Sequence, residues 1–449
     1  MTNLSESGSG NVIGATATDS VSSVRRRTSR RIPLRWAYVA LLFFMVIYYA
    51  RPEDWVPGLS HAPLAKIAGI FAVLGLVLSL RDIRWRLPKE IIFLSLLTGQ
   101  LFVASFMTPV WRGGALQETL NFAKILIIVF TITAAVTTYQ RLRLLILTQA
   151  VSVSAIAAVA IWKGHLILGR LLGILGGNYS DPNDLALAIV MSLPLCLALL
   201  FLGRNRLPKI LWAITMLVMI YAIFLTGSRG GFLSLIVTGA VGLWDFAIRG
   251  RRRYLLVIAT LLGVIVLLLW GGMLVGRLEG TFNAKEDTGA AYASAKIRQE
   301  VFWRSVEVTK EHPLFGVGPG NFMQVSNSWH VAHNSFTQIS SEGGVPALIF
   351  YVLILWSGFV NIRATRRFAQ GQRQGILLAK GLHASLAGYV VGSCFLSVPY
   401  AFFPYILVAY TTALSLISKK SEAQAKKVGA TPVVPEAAPL AYATRSVWE

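Results

Sequence analysis

The side chains suited to chemistry in this sequence sit in a few polar islands between long apolar runs. His333 stands in "AHNSFTQISSEGG", residues 332–344. Arg298 and Arg304 stand in "RQEVFWRSVEVTKEHP", residues 298–313, and Arg229 in "TGSRGG", residues 226–231. An imidazole titrates near neutral pH, so it can take or give a proton. A guanidinium stays charged and grips anions through paired N–H bonds. These types together suit proton transfer beside a bound anion. A lone histidine is more often structural; the arginines on the same surface shift that balance. "GVGPG", residues 316–320, lacks the following lysine and the opening helix of a phosphate-binding loop, so it reads as a tight turn. The chain has no C-x-x-C, no H-E-x-x-H and no Walker-type loop. No cofactor and no metal site is expected.

The elements that must position these residues are set by composition. Of 449 residues, 55% are hydrophobic and only 14% are charged, against about 25% in soluble domains. Mean hydropathy is +0.61. Runs of about 20 apolar residues span a hydrocarbon core roughly 30 Å thick, and lipid forces such spans to be helical. The chain reads as an all-α polytopic membrane protein. About 12 transmembrane helices are expected, at roughly 34–50, 64–80, 90–107, 121–138, 143–161, 185–202, 209–226, 230–248, 254–275, 344–361, 379–397 and 402–418. "HLILGRLLGILG", residues 165–176, is short and broken by Arg170, which suggests an interfacial or re-entrant helix. Cys196 and Cys394 fall in apolar runs and read as small packing residues.

Charge orients the bundle. The net charge of +22 reflects basic inner loops rather than a nucleic-acid partner. "RRRTSRR", "RDIRWRLPKE", "YQRLR", "GRNRLPK", "IRGRRR", "NIRATRRFAQGQRQ" and "SKKSEAQAKK" all fall on one side, which the positive-inside rule makes cytoplasmic. Residues 1–32 are expected as a disordered cytoplasmic tail, 33–275 as membrane helices 1–9, and 276–343 as one large periplasmic loop carrying the chemistry. Residues 344–418 follow as helices 10–12 and 419–449 as a second disordered cytoplasmic tail. The large loop should hold a helix from about Ala290 to Lys310, stopped by Pro313. A second helix should begin near Asn334 or Ser335, and Glu342, Gly343 and Gly344 should break it before the next span. "RPEDW" (51–55) and "GGNYSDPND" (176–184) face the same outer side.

Taken in order, "GNYSDPNDLALAI", "LTGSRGGFLSLI", "RQEVFWRSVEVTKEHPLFGVGPGNF" and "AHNSFTQISSEGGVPALIFY" resemble the O-antigen ligase and polymerase-like superfamily of bacterial membrane glycosyltransferases. The likeness covers residues 176–360. It implies a bundle like the membrane glycosyltransferase C class in the bacterial inner membrane. It also implies an undecaprenyl-diphosphate-linked glycan donor, and no cofactor or metal. On that pattern Arg229 is the first-loop arginine and His333 the catalytic histidine. Arg298 is the second arginine, fourteen residues before His312. The family's tryptophan four residues later is Phe302 here, with Trp303 beside it, which keeps Arg304 as an alternative. Asn334 and Ser335 are expected to hold the histidine or the acceptor, and Asn183 and Arg51 to contact substrate. The implied reaction is an inverting transfer to an acceptor hydroxyl on a glycan, lipid A-core or protein, which leaves ligase, polysaccharide polymerase and protein O-oligosaccharyltransferase open. A secondary transporter for a small anion is the alternative outside enzymes; the absence of an internal repeat and of midplane charges weighs against it.

Overall fold

A computed structural model describes residues 34–59, 62–79, 87–164, 166–167, 170–173, 179, 181–265, 268, 272 and 290–429. The expected N-terminal tail lies outside them. Helices α1 (Arg35–Ala50), α2 (Pro52–Trp55), α3 (Leu64–Leu78), α4 (Lys89–Met107), α5 (Arg112–Ala135) and α6 (Tyr139–Lys163) come first. A two-stranded hairpin follows, β1 (Leu166–Ile167) and β2 (Arg170–Leu171). Then come α7 (Pro182–Leu202), α8 (Arg206–Thr226), α9 (Arg229–Leu243, ending in a π turn at Trp244–Ile248) and α10 (Tyr254–Ile265). The chain closes with α11 (Ala290–Glu311), α12 (Phe322–Val325), α13 (Ser335–Phe368), α14 (Arg373–Gly392) and α15 (Phe402–Gly429).

Each expected span overlaps a helix, and most of residues 266–275 of the ninth lies outside the described residues. Among the described residues, nine helices are long and apolar enough to cross a membrane, which makes this a polytopic membrane protein. α1 and α3, at 16 and 15 residues, are shorter, as is the described part of α10. α7 forms the centre: 89% of its apolar window is buried in protein, against 22% for peripheral α8. α14 packs on α7, and Gly381 permits the close approach, since a Cβ there would lie 2.9 Å from Pro194 O. Ser385 Oγ donates to Met191 O beside the Pro194 irregularity, as polar side chains do where proline interrupts a membrane helix.

Two expectations are corrected here. Residues 165–176 form no helix in their described part. Leu166 pairs with Leu171 and Ile167 with Arg170 as antiparallel strands, with Leu168-Gly169 between them. A stretch this short, with glycine near its middle, gains little from helix propagation. Residues 419–429, expected in the C-terminal tail, are helical instead, because α15 runs on to Gly429. "SKKSEAQAKK" is made of good helix formers, and Lys426 and Glu422 pair at i,i+4.

The segment carrying the polar islands folds as its residues require. α11 begins at the expected place, and its Val301, Ser305 and Val308 face is buried. Thr309 Oγ1 meets Ser340 Oγ of α13 at 2.9 Å. α13 breaks at Gly344, where φ is 80° and ψ 174°. The break strips carbonyl partners from the preceding turn. The glycine-rich turn replaces them: Val317 N donates to Ser341 O and Gly318 N to Glu342 O, both at 2.9 Å. "GVGPG" is therefore a turn that caps a broken helix, which is why its amides are not available to a phosphate.

Candidate active site

Two helix starts are tied together near the site. Asp181 caps α7, its Oδ1 accepting from Asn183 N at 2.6 Å and Asn183 Nδ2 at 2.8 Å. Ser228 caps α9, its Oγ accepting from Gly231 N at 3.1 Å; such a cap contributes about 0.5–2 kcal/mol. Asn183 joins the two starts. Its Oδ1 accepts from Ser228 Oγ at 2.6 Å and from Arg170 Nη2 at 3.2 Å. Arg170 Nε also donates to Thr226 O at 3.0 Å, fixing the end of α8. Arg229 is the first residue of α9 and inherits this positioning. Behind it Gly230 lies against Phe395, where a Cβ would come within 2.7 Å of the ring's own Cβ.

α11 and the start of α13 line the site itself. Asn334 caps α13, accepting from Phe336 N at 2.9 Å and Thr337 N at 3.1 Å. His333 precedes that cap in the left-handed region, with φ 51°. A non-glycine residue there stores on the order of 1–3 kcal/mol, and such strain gathers at functional sites. A cavity of about 170 Å³ lies between α11, the start of α13 and the turn after α14, lined by Arg298, Gln299, Phe302, Ala332, His333, Asn334, Cys394 and Phe395.

The electrostatics place Arg229 and Asp181 within reach of this cavity. Burial and then Arg229 lower the Arg298 guanidinium from its ordinary value, with Asp181 opposing. Burial and then Arg298 push the His333 ring down to about 4, against Asp181 and with a smaller contribution from His330. His333 is therefore neutral near pH 7 and can accept a proton. The field around it is positive and suited to an anion.

The structure brings Arg298 and His333 together in the cavity, with Arg229 near enough to bear on the charge of Arg298, and separates the others. Arg304 turns away: Nη1 bonds Glu311 at 2.9 Å and Glu307 at 3.3 Å, and Nε bonds Val325 O. Of the two α11 arginines, Arg298 is the one that lines the cavity. Arg51 pairs with Asp54 at 2.6 Å in its own loop. Asn183 ties helices together. Asn334 lines the cavity, but its amide is occupied by capping and by Cys394 O at 3.1 Å. Ser335 is corrected outright. It is fully buried, donating to Leu396 O and accepting from Val398 N, so it cannot meet a substrate. Cys394 is corrected too: it is exposed at the cavity rather than packed, because α14 ends before it at Gly392.

Sequence reasoning missed Asp181, Arg170 and Phe395. An acidic residue followed by proline is a helix-start signal, so Asp181 was readable as a cap; its field at His333 is a product of the fold. Glu342 is buried beneath the site, and its Oε1 accepts from Phe322 N at 3.3 Å. It anchors α12 to the helix that follows His333.

Fold and site together define a multi-pass helical membrane protein with a cationic, histidine-bearing cavity at one end of the bundle. Residues 214–352 match the Wzy_C family model, described as O-antigen ligase. The matched segment holds Arg229, Arg298 and His333, so the family resemblance carried by the motifs is shown there. No curated protein sequence matches the chain. Among solved structures it is similar to a chain of "Structural coordination of polymerization and crosslinking by a peptidoglycan synthase complex", with 16% identity and a TM-score of 0.42, over 76% of this chain and 99% of that one.

Proposed function

We propose that this protein transfers a glycan from an undecaprenyl-diphosphate carrier to an acceptor hydroxyl at the periplasmic face of the bacterial inner membrane. The observation that carries the reading is the meeting of His333 and Arg298 in one cavity, beside Arg229, inside the family-matched segment. The reading places the termini and the basic loops in the cytoplasm, with twelve crossings in a glycosyltransferase C-like bundle.

In the transfer, the acceptor O–H gives its proton to the His333 ring. The acceptor oxygen attacks the anomeric carbon and forms the new glycosidic bond. The bond from that carbon to the diphosphate oxygen breaks, and the diphosphate leaves with the electron pair. Attack opposite the leaving group inverts the anomeric centre. Arg229 and Arg298 hold the departing charge through charge-assisted bonds contributing about 1.5–3 kcal/mol each. A positioned base contributes roughly 10²–10⁴-fold. Donor binding also tunes the base: the diphosphate offsets the Arg298 charge that depresses the ring, so its proton affinity rises when substrate is present.

A deletion strain tests the reading through the glycans left on its lipid carriers. Full-length polymer stranded on the carrier identifies a ligase, and single repeat units identify a polymerase. Lost protein glycosylation with normal surface polymer identifies a protein glycosyltransferase. An unchanged glycan profile in all three pools contradicts the proposal.

A further inference from the structure

A second cationic cavity lies at the opposite end of the bundle. It measures about 420 Å³ and is lined by Arg143, Leu202, Arg204, Arg373 and Gln374. α7 runs from the His333 end at Pro182 to Leu202, so the two cavities are about 30 Å apart along its 1.5 Å rise per residue. The transfer chemistry does not use this second site. Its volume lies within the ligand-pocket range of about 300–1,000 Å³.

Its construction favours an anion. Three guanidiniums line it and no carboxylate does. Arg373 donates from Nη2 to Phe201 O at 2.7 Å, which covers a carbonyl of the α7 C-terminus and fixes the side chain. Arg143 and Arg204 make no hydrogen bond or ion pair among the described residues. Arg373 and Gln374 form the first turn of α14, a 20-residue helix whose N-cap Gln372 makes no side-chain capping bond. The positive end of that helix therefore adds to the guanidinium field. Like charges held around an open cavity without a counter-charge are stabilised when an anion neutralises them.

We propose that this cavity binds a phosphate group, held by Arg143, Arg204 and Arg373. Two sources share that chemistry: the headgroup of an anionic phospholipid and a soluble phosphate. The test uses the full-length protein in nanodiscs of phosphatidylcholine, with and without phosphatidylglycerol, and a titration of inorganic phosphate into the phosphatidylcholine discs. Thermal stability is read for wild type, for Arg143→Ala/Arg204→Ala, and for the control Arg206→Ala/Lys209→Ala. All four substituted side chains are exposed, so the variants should fold, and helix content checks that they do.

Stabilisation by phosphatidylglycerol that survives in the control but is lost in Arg143→Ala/Arg204→Ala supports the site and assigns a lipid headgroup. The same pattern with inorganic phosphate supports it and assigns a soluble ligand. Losing each guanidinium should weaken apparent affinity about tenfold. The proposal is overturned if neither probe stabilises wild type. Equal loss in the control, or no loss in Arg143→Ala/Arg204→Ala, also overturns it, since the effect would then be general surface charge.

Discussion

Two histidines in this protein stand beside an arginine, and only one of the pairs is closed by an acid. His383 Nδ1 lies 2.6 Å from Asp245 Oδ2, and Arg366 Nη2 reaches the same oxygen at 2.5 Å. Asp245 is buried in the π turn after α9, so the trio locks α9, α13 and α14 together. His333 instead neighbours Arg298 with no carboxylate bonded to either among the described residues, in a strained backbone at the rim of a cavity. The same two residue types are structural where a carboxylate completes the charge set. Where it is left incomplete, the charge suits the anionic substrate proposed above.

Substitution at the two histidines should separate them most widely. His333→Ala should lower transfer by roughly 10²–10⁴-fold with stability little changed. His383→Ala should lower the melting temperature and leave transfer per folded molecule within about threefold. Equal losses of transfer at both positions would erase the distinction. Next in size, Arg298→Ala should reduce transfer by about tenfold or more, and Arg298→Lys should recover part of it, since a lysine keeps charge but loses the paired geometry.

Asp245→Asn sharpens the structural half of the contrast. It should cost about 1–3 kcal/mol of stability by thermal unfolding, because a buried acceptor set loses its charge. Arg304→Ala should do least. Its partners Glu307 and Glu311 are exposed, and exposed pairs contribute about 0–1 kcal/mol; transfer assays should show less than about threefold change.

The pH profile reports on the environment of His333. The depressed His333 ring is neutral above about pH 4, so kcat/KM of the free enzyme should hold as pH falls through 6 and drop only near 4. Arg298→Ala removes a repelling charge and should move that limb upward, toward the ordinary histidine value of about 6.5. Ring titration by NMR, with and without donor, should show the same upward movement when the diphosphate binds.

Much of this was legible before the fold. Runs near twenty apolar residues announced the spans, and the break at Gly344 and the stop at Pro313 followed from backbone chemistry. Arg229, Arg298 and His333 were visible as residue types in polar islands. The choice between Arg298 and Arg304 was not, because both lie on α11 and only packing decides which side faces α13's start. Ser335 looked available from its motif, yet the α14–α15 connection buries it. Asp181 and Arg170 act across more than a hundred residues of chain or through other helices, and local sequence carries no signal of that. Residues 165–176 misled because apolar content alone does not choose helix over hairpin.

The most direct test measures donor binding and glycan transfer side by side, with purified protein in nanodiscs and an undecaprenyl-diphosphate-linked oligosaccharide. The expected result is that His333→Ala binds donor like wild type but forms almost no product, while Arg298→Ala binds more weakly. Product formation by His333→Ala at the wild-type rate would contradict the assignment of His333 as the base, and with it the account of the site.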